Sequence, residues 1–316
     1  MKYAAKRLLM LLLTMVIVSL LAFVAFDLIS GDPATAMLGT EATPEKVAAL
    51  QEELGLNRPL MVRYGEWLLG FFTGNLGTSY SYNQPVWDLI APKVLVTLCL
   101  SLMSFLLIVV VSIPVGVRSV RQTGRVRDAV RTAVNQLCMA VPAFFIGILL
   151  SWLFSTVLKW FVHGKFPGLA QDFSGSMKYL FFAALAIAIP RIAMTVRMLR
   201  STILNEMQKD YVRTAISRGN DRGGVLYRHV LKNALVPVVT FLAQTMAEIV
   251  AGSIVVEQVF GIPGLGRMLV TSISNRDYPT VQAIVVILAF WVVLAGTVAD
   301  ILNQRIDPRL RLGGAS

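Results

Sequence analysis

Apolar residues run along this chain in blocks too long for the core of a soluble domain. Leu8–Phe26, Val94–Val117, Thr132–Leu158 and Tyr278–Ala299 each continue without a single charged side chain. Two further blocks are interrupted, Tyr179–Leu199 by Arg191 and Arg197, and Ala234–Val256 by Glu248. A bilayer crossing needs about 20 predominantly apolar residues, so the pattern predicts six transmembrane helices. Open strands cannot span lipid because their backbone groups would go unpaired. The expected class is therefore an all-α polytopic membrane protein.

The polar intervals divide the chain further. Residues 1–29 form an N-terminal span, 30–93 an extracytoplasmic segment, and 94–316 a five-helix core with a polar loop at 200–233. Lys2, Lys6 and Arg7 precede the first block, and Ala34-Thr35-Ala36 resembles a leader cleavage site. The block exceeds the roughly 7–15 apolar residues of a leader, so it reads as a retained span. Within 30–93, Thr43 followed by Val47, Leu50 and Leu54 predicts an external helix over 43–55, suited to meeting a binding protein or to packing on its own chain.

Composition agrees with this class: 56% of the 316 residues are hydrophobic and 15% charged. The net charge of +11 could suggest nucleic acid. Its distribution gives another account. With the N-terminus inside, 20 of the 29 Lys and Arg fall in cytoplasmic segments and nine outside. That bias predicts cytoplasmic termini and absorbs the charge without nucleic acid. Cys99 and Cys138 lie inside apolar blocks, and His163 and His229 lie far apart, so no disulfide framework or metal motif is implied.

One polar interval stands out. Residues 209–237, KDYVRTAISRGNDRGGVLYRHVLKNALVP, carry Lys209, Arg213, Arg218, Arg222, Arg228 and Lys232. Asp210 suits a helix N-cap, and Gly219 suits the reversal that ends that helix. Asp221 can cap a second helix through Val225, Leu226 and Val230, which feeds the fifth span. Tyr211, Ala215 and Ile216 give the first helix a small apolar face. Such an element fits either anionic lipid or a groove in a soluble partner.

This loop resembles the cytoplasmic signature loop of ABC-importer permeases of the dipeptide, oligopeptide and nickel branch, B-type. Arg213, Thr214, Ala215, Gly219, Arg228, His229, Asn233, Ala234, Leu235 and Pro237 carry the resemblance. Where many ABC importers begin the loop with Glu-Ala-Ala, this chain has Arg213-Thr214-Ala215. Further stretches are similar to the family in the same order: GDPA at 31–34, LGLNRPLMVRYGEWL at 54–68, GNLGTSY at 74–80, EQVFGIPGLGRMLVTSISNRDYPTVQ at 257–282 and DILNQRIDPRLR at 300–311.

The resemblance implies the type I ABC-importer permease fold, with the loop as a coupling helix seated on a cytosolic ATPase. Asp210, Arg213, Thr214, Ala215 and Gly219 would do the coupling. It implies a second homologous permease, two ATPase subunits and an extracytoplasmic substrate-binding protein as partners, with membrane lipid around them. No cofactor is expected in this chain, and no catalytic residue; ATP and Mg would belong to the ATPases. In keeping with this, the chain has no G-x-x-x-x-G-K-S/T phosphate loop, and Gly261–Gly266 reads as a tight turn. A secondary carrier should hold several ionisable residues in its spans, and few are present here.

Arg191, Glu248 and Glu257 are the candidate residues of a translocation path. Counted from the edges of their apolar blocks at about 1.5 Å per residue, Arg191 lies about 12 Å and Glu248 about 21 Å from the cytoplasmic side of a core roughly 30 Å thick. That offset argues against a direct pair. For the substrate, short peptides lead, with nickel or a metallophore chelate as the alternative. A path for bare metal should offer imidazole or thiolate; His163 and His229 fall in loops, and Cys99 and Cys138 read as apolar filling of the spans, which argues against bare metal.

Overall fold

The computed structural model describes residues 2–29, 33–39, 42–53, 55–121 and 124–306. Helices account for the architecture: α1 (Lys2–Ile29), α2 (Pro33–Leu38), α3 (Pro44–Glu53), α4 (Leu60–Thr73), α5 (Val86–Arg121), α6 (Arg125–Ala140), α7 (Ala143–Ser151, extended by a π-helical turn to Val157), α8 (Phe173–Glu206), α9 (Asp210–Ser217), α10 (Arg222–Val225), α11 (Leu231–Phe260, joined to α10 by a second π-helical turn), α12 (Leu265–Ser274) and α13 (Tyr278–Ile306). Leu54, Gly31-Asp32 of the GDPA stretch and the motif residues beyond Ile306 lie outside the described residues.

Among the described residues, five stretches are long and apolar enough to cross a membrane: α1, α5, α8, the run from α10 through α11, and α13. The sixth expected span, Thr132–Leu158, is not one straight helix. It is divided between α6 and α7, which are bent by 94° at Val141-Pro142. Pro142 has no N–H to continue α6, and its ring forces Val141 out of the helical region to φ −84°, ψ 123°.

The chain packs as two compact units. The first holds residues 1–97 and 262–293. Its core is Leu76, Val86, Ile90, Leu265, Met268, Ala283 and Ile284. The helix expected over 43–55 is present as α3, and the Thr43 hydroxyl receives the Lys46 N–H at 3.4 Å. Phe23, Tyr64, Trp67 and Phe71 form an aromatic row that joins α1 to α4. The loop after α4 closes at an isolated Thr78–Pro85 bridge and is tied to Asp277 ahead of α13.

The second unit holds residues 98–261 and 294–316, and α8 is its centre, packed against α6, α7 and α11. Close approach explains two of its glycines. A Cβ at Gly116 would lie 2.7 Å from Leu199 Cδ2, and one at Gly147 would lie 3.3 Å from Phe260 Cε2. Near the N-terminal end of α8, Tyr179 donates its hydroxyl to the Phe260 carbonyl at 2.5 Å and accepts the Gly164 N–H at 3.0 Å.

Candidate coupling site and intramembrane ion pair

The loop that stands out in the sequence folds as a short lever between two turns. α9 has eight residues. Asp210 is its first helical residue and not its cap: Lys209 occupies the capping position in extended backbone and no side chain caps the helix. The turn before it explains the shift, since the Lys209 N–H bonds back to the Glu206 carbonyl at 3.2 Å. Asp210 still places a negative charge in the first turn, where the helix dipole favours it.

The far end of α9 follows the sequence reading. Gly219 has φ +85°, its N–H bonds to the Ile216 carbonyl at 2.9 Å, and the Asn220 N–H reaches the Ala215 carbonyl at 3.4 Å. This is a Schellman end, and its left-handed residue favours glycine. Asp221 then caps α10, accepting the Gly224 N–H at 2.9 Å.

Which face of α9 is free is set by what the chain already uses. Val212 is 1% exposed and anchors the helix. Tyr211, expected on the docking face, is tied inward: its hydroxyl donates to Glu206 Oε1 at 2.9 Å and accepts from Asn233 Nδ2 at 3.2 Å. Lys209 Nζ holds the other Glu206 oxygen at 2.6 Å. Burial and then the neighbouring Glu206 carboxylate push the Tyr211 phenol above its usual value against the opposing Asn233 bond, so it remains a donor at neutral pH. One polar clasp thus joins the end of α8, the start of α9 and the start of α11. Asp210, Arg213, Thr214, Ile216 and Gly219 remain exposed and Ala215 half-buried. The Arg213–Asp210 pair, 3.8 Å apart and largely solvated, contributes little stability.

Sequence reasoning missed the clasp and Val212. Glu206 and Asn233 lie on opposite sides of the loop, so only Asn233, inside the quoted NALVP stretch, gave any signal.

The three candidate path residues are placed differently from one another. Arg191 of α8 and Glu248 of α11 form an ion pair, contrary to the depth argument. The helices run past the apolar blocks that served as rulers: α8 continues to Glu206, and α11 begins at Leu231. At about 1.5 Å per residue, Arg191 lies about 23 Å from that end of α8 and Glu248 about 26 Å from that end of α11. The two depths differ by only about 3 Å, within reach of an arginine side chain. Their side chains are 28% and 52% exposed, so the pair opens on one side. Glu257 is fully buried near the end of α11, where its carbonyl helps to cap the helix through the Gly261 N–H.

These features define a multi-span helical membrane component whose polar loop between α8 and α11 presents a short, clasped helix. Residues 108–312 match the family described as binding-protein-dependent transport system inner membrane component, and residues 1–101 match its N-terminal model. The chain belongs to this family, the permeases of ABC importers, and is a multi-pass inner membrane protein.

Named relatives cover almost all of it. A Brucella abortus protein named as a peptide transport system permease is 37% identical over 297 residues, 94% of this chain and 95% of its own. The glutathione transport system permease protein of Salmonella choleraesuis is 34% identical over 309 residues, 98% of each chain. The dipeptide transport system permease protein of Alkalihalophilus pseudofirmus is 30% identical over 334 residues, 98% of this chain and 99% of its own. A permease of this family is the membrane component, not itself catalytic, of a system that also includes an ATPase and a substrate-binding protein.

Proposed function

We propose that this chain forms half of the translocation path for short peptides in an ATP-driven importer. The observation that carries the reading is the geometry of α9: a short helix with an exposed Arg213–Thr214 face, bounded by turns and clasped at its base to two long helices. A force on α9 reaches both helices through Tyr211. The naming of relatives for peptide, dipeptide and glutathione transport supports the substrate class.

In this reading a second homologous permease supplies the other half of the path, and two ATPase subunits, which bind ATP and Mg, dock on the α9 faces. An extracytoplasmic binding protein delivers substrate. The excess of Lys and Arg in the α9 loop and at both ends supports a cytoplasmic position for them in this reading. The Arg191–Glu248 pair faces the path and Glu257 flanks its outer end.

Two measurements test this. In the assembled transporter, a photo-crosslinker at Arg213 should label an ATPase subunit, and labelling of lipid alone would sink the coupling role. The cognate binding protein should bind di- or oligopeptides; a metal chelate bound with no peptide would overturn the substrate.

A further inference from the structure

Towards the C-terminal ends of α5 and α8, those helices and α6 border an open cavity of about 410 Å³ within the second unit. α6 lies along α8: Asn135 Nδ2 donates to the Ala193 carbonyl at 2.8 Å, and Asp128 meets Arg200 at 3.0 Å further along both helices. Arg118, Arg131, Arg197 and Arg200 line the cavity. Asp128 lies beside them, 3.0 Å from Arg200 and 3.6 Å from Arg131, while Arg131 also donates to the Ser119 carbonyl at 2.9 Å. Among the described residues, Arg118 and Arg197 have no carboxylate within ion-pair distance, and the buried Arg200 Nε has no acceptor. The cluster is therefore net positive, with Arg118 and Arg197 exposed at its mouth.

The rest of the lining is mixed: Ser119, Thr132, Asn135 and Gln136 alternate with valines. Val130, Val134 and Val196 face the same cavity. On α6, Val126, Val130, Val134 and Leu137 recur at helical spacing, and each is more than half exposed. A soluble anion would leave that stripe in water. A molecule with a phosphate at one end and hydrocarbon at the other satisfies both halves, and the leaflet supplies it at high concentration. Arg197 and Arg200 lie about 9 and 14 Å beyond Arg191 towards the end of α8, past the middle of the helix and on its polar side.

We propose that this cavity binds an anionic phospholipid, its phosphate on Arg118 and Arg197 and an acyl chain along the α6 valines. That the leaflet is the cytoplasmic one rests on the orientation proposed above; the binding itself does not, and single-cysteine labelling at position 213 from either side tests the orientation separately.

The test is native mass spectrometry of the full-length chain with its partner subunits in detergent, after incubation with phosphatidylglycerol or phosphatidylcholine. Wild type should retain phosphatidylglycerol preferentially. At about a kilocalorie per cation near an anionic headgroup, R118Q/R197Q should weaken retention roughly 30-fold. R118K/R197K should stay within a few-fold of wild type, and K159Q/K165Q, with the same loss of charge elsewhere, should retain fully. Equal retention by R118Q/R197Q overturns the proposal, as does equal retention of phosphatidylcholine. Displacement by millimolar inorganic phosphate would assign a free phosphate instead. A crosslink from Val134→Cys to a second permease, with no lipid adduct, would assign the stripe to protein. Should R118Q/R197Q fail to fold, retention by R118K/R197K that is no better for phosphatidylglycerol than for phosphatidylcholine also overturns it.

Discussion

Ser79 donates its hydroxyl to Asp277 at 2.5 Å, joining the loop after α4 to the start of α13. Asp277 is completely buried and also accepts the Tyr80 N–H at 2.9 Å and the Thr280 hydroxyl at 2.8 Å. Both carboxylate oxygens are therefore used as acceptors.

Asp277→Asn replaces one acceptor oxygen with an amide donor facing hydroxyls that now donate. A buried bond to a charged group is worth about 1.5–3 kcal/mol, so a loss of about 2 kcal/mol is expected. Ser79→Ala removes one donor and leaves the other two, and should cost less. Thermal unfolding of the purified permease gives the order: wild type, Ser79→Ala, Asp277→Asn, from most to least stable.

The Arg191–Glu248 pair makes a second prediction. Glu248→Gln strands the guanidinium between two packed helices. Breaking a buried pair costs about 3–5 kcal/mol, and the half-open Glu248 side reduces this to about 1–2 kcal/mol. Arg191→Met/Glu248→Met, which leaves no charge behind, should recover most of that stability yet not transport, if the pair acts in the path. Transport at the wild-type rate by the double variant would reduce the pair to a structural one.

What the sequence disclosed follows the range of the interaction. Thr43, Gly219 and Asp221 act within a few residues of themselves, and their caps and turns could be read directly. Pro142 also acts locally, but the long uncharged block around it suggested a single span and hid the break. The Arg191–Glu248 pair and the Glu206–Tyr211–Asn233 clasp depend on how α8 and α11 are set side by side. An error of a few residues in a helix end, harmless for counting spans, moved the predicted depths apart by more than the length of the bond. The motif holding Asp277 was visible as a resemblance, while its role as a shared acceptor required the partner loop.

Tyr211→Phe tests the clasp. The ring and its packing remain, and the bonds to Glu206 and Asn233 are lost. The expected cost is about 1 kcal/mol of stability, a small effect on the fold. Coupling should fall further than stability does: substrate-stimulated ATP hydrolysis in the assembled transporter should continue while uptake per ATP drops. An unchanged ratio of uptake to hydrolysis would show that α9 transmits force by another route.

Gly219 separates backbone geometry from bulk. An added Cβ there meets no atom within 4 Å, so any penalty comes from the backbone at φ +85°. A left-handed conformation costs an ordinary L-residue about 1–2 kcal/mol, and asparagine tolerates it better than a β-branched residue does. Gly219→Asn should therefore leave the Schellman end, insertion and uptake near wild type. Gly219→Val should relieve its strain by unwinding the end of α9, which would release the Ala215 and Ile216 carbonyls and shift the exposed Arg213–Thr214 face. The protein should still reach the membrane in normal amount, with uptake several-fold lower. Comparing both variants by membrane abundance and peptide uptake decides the point. If valine and asparagine behave alike, the conformation of Gly219 is not what keeps α9 in its working position.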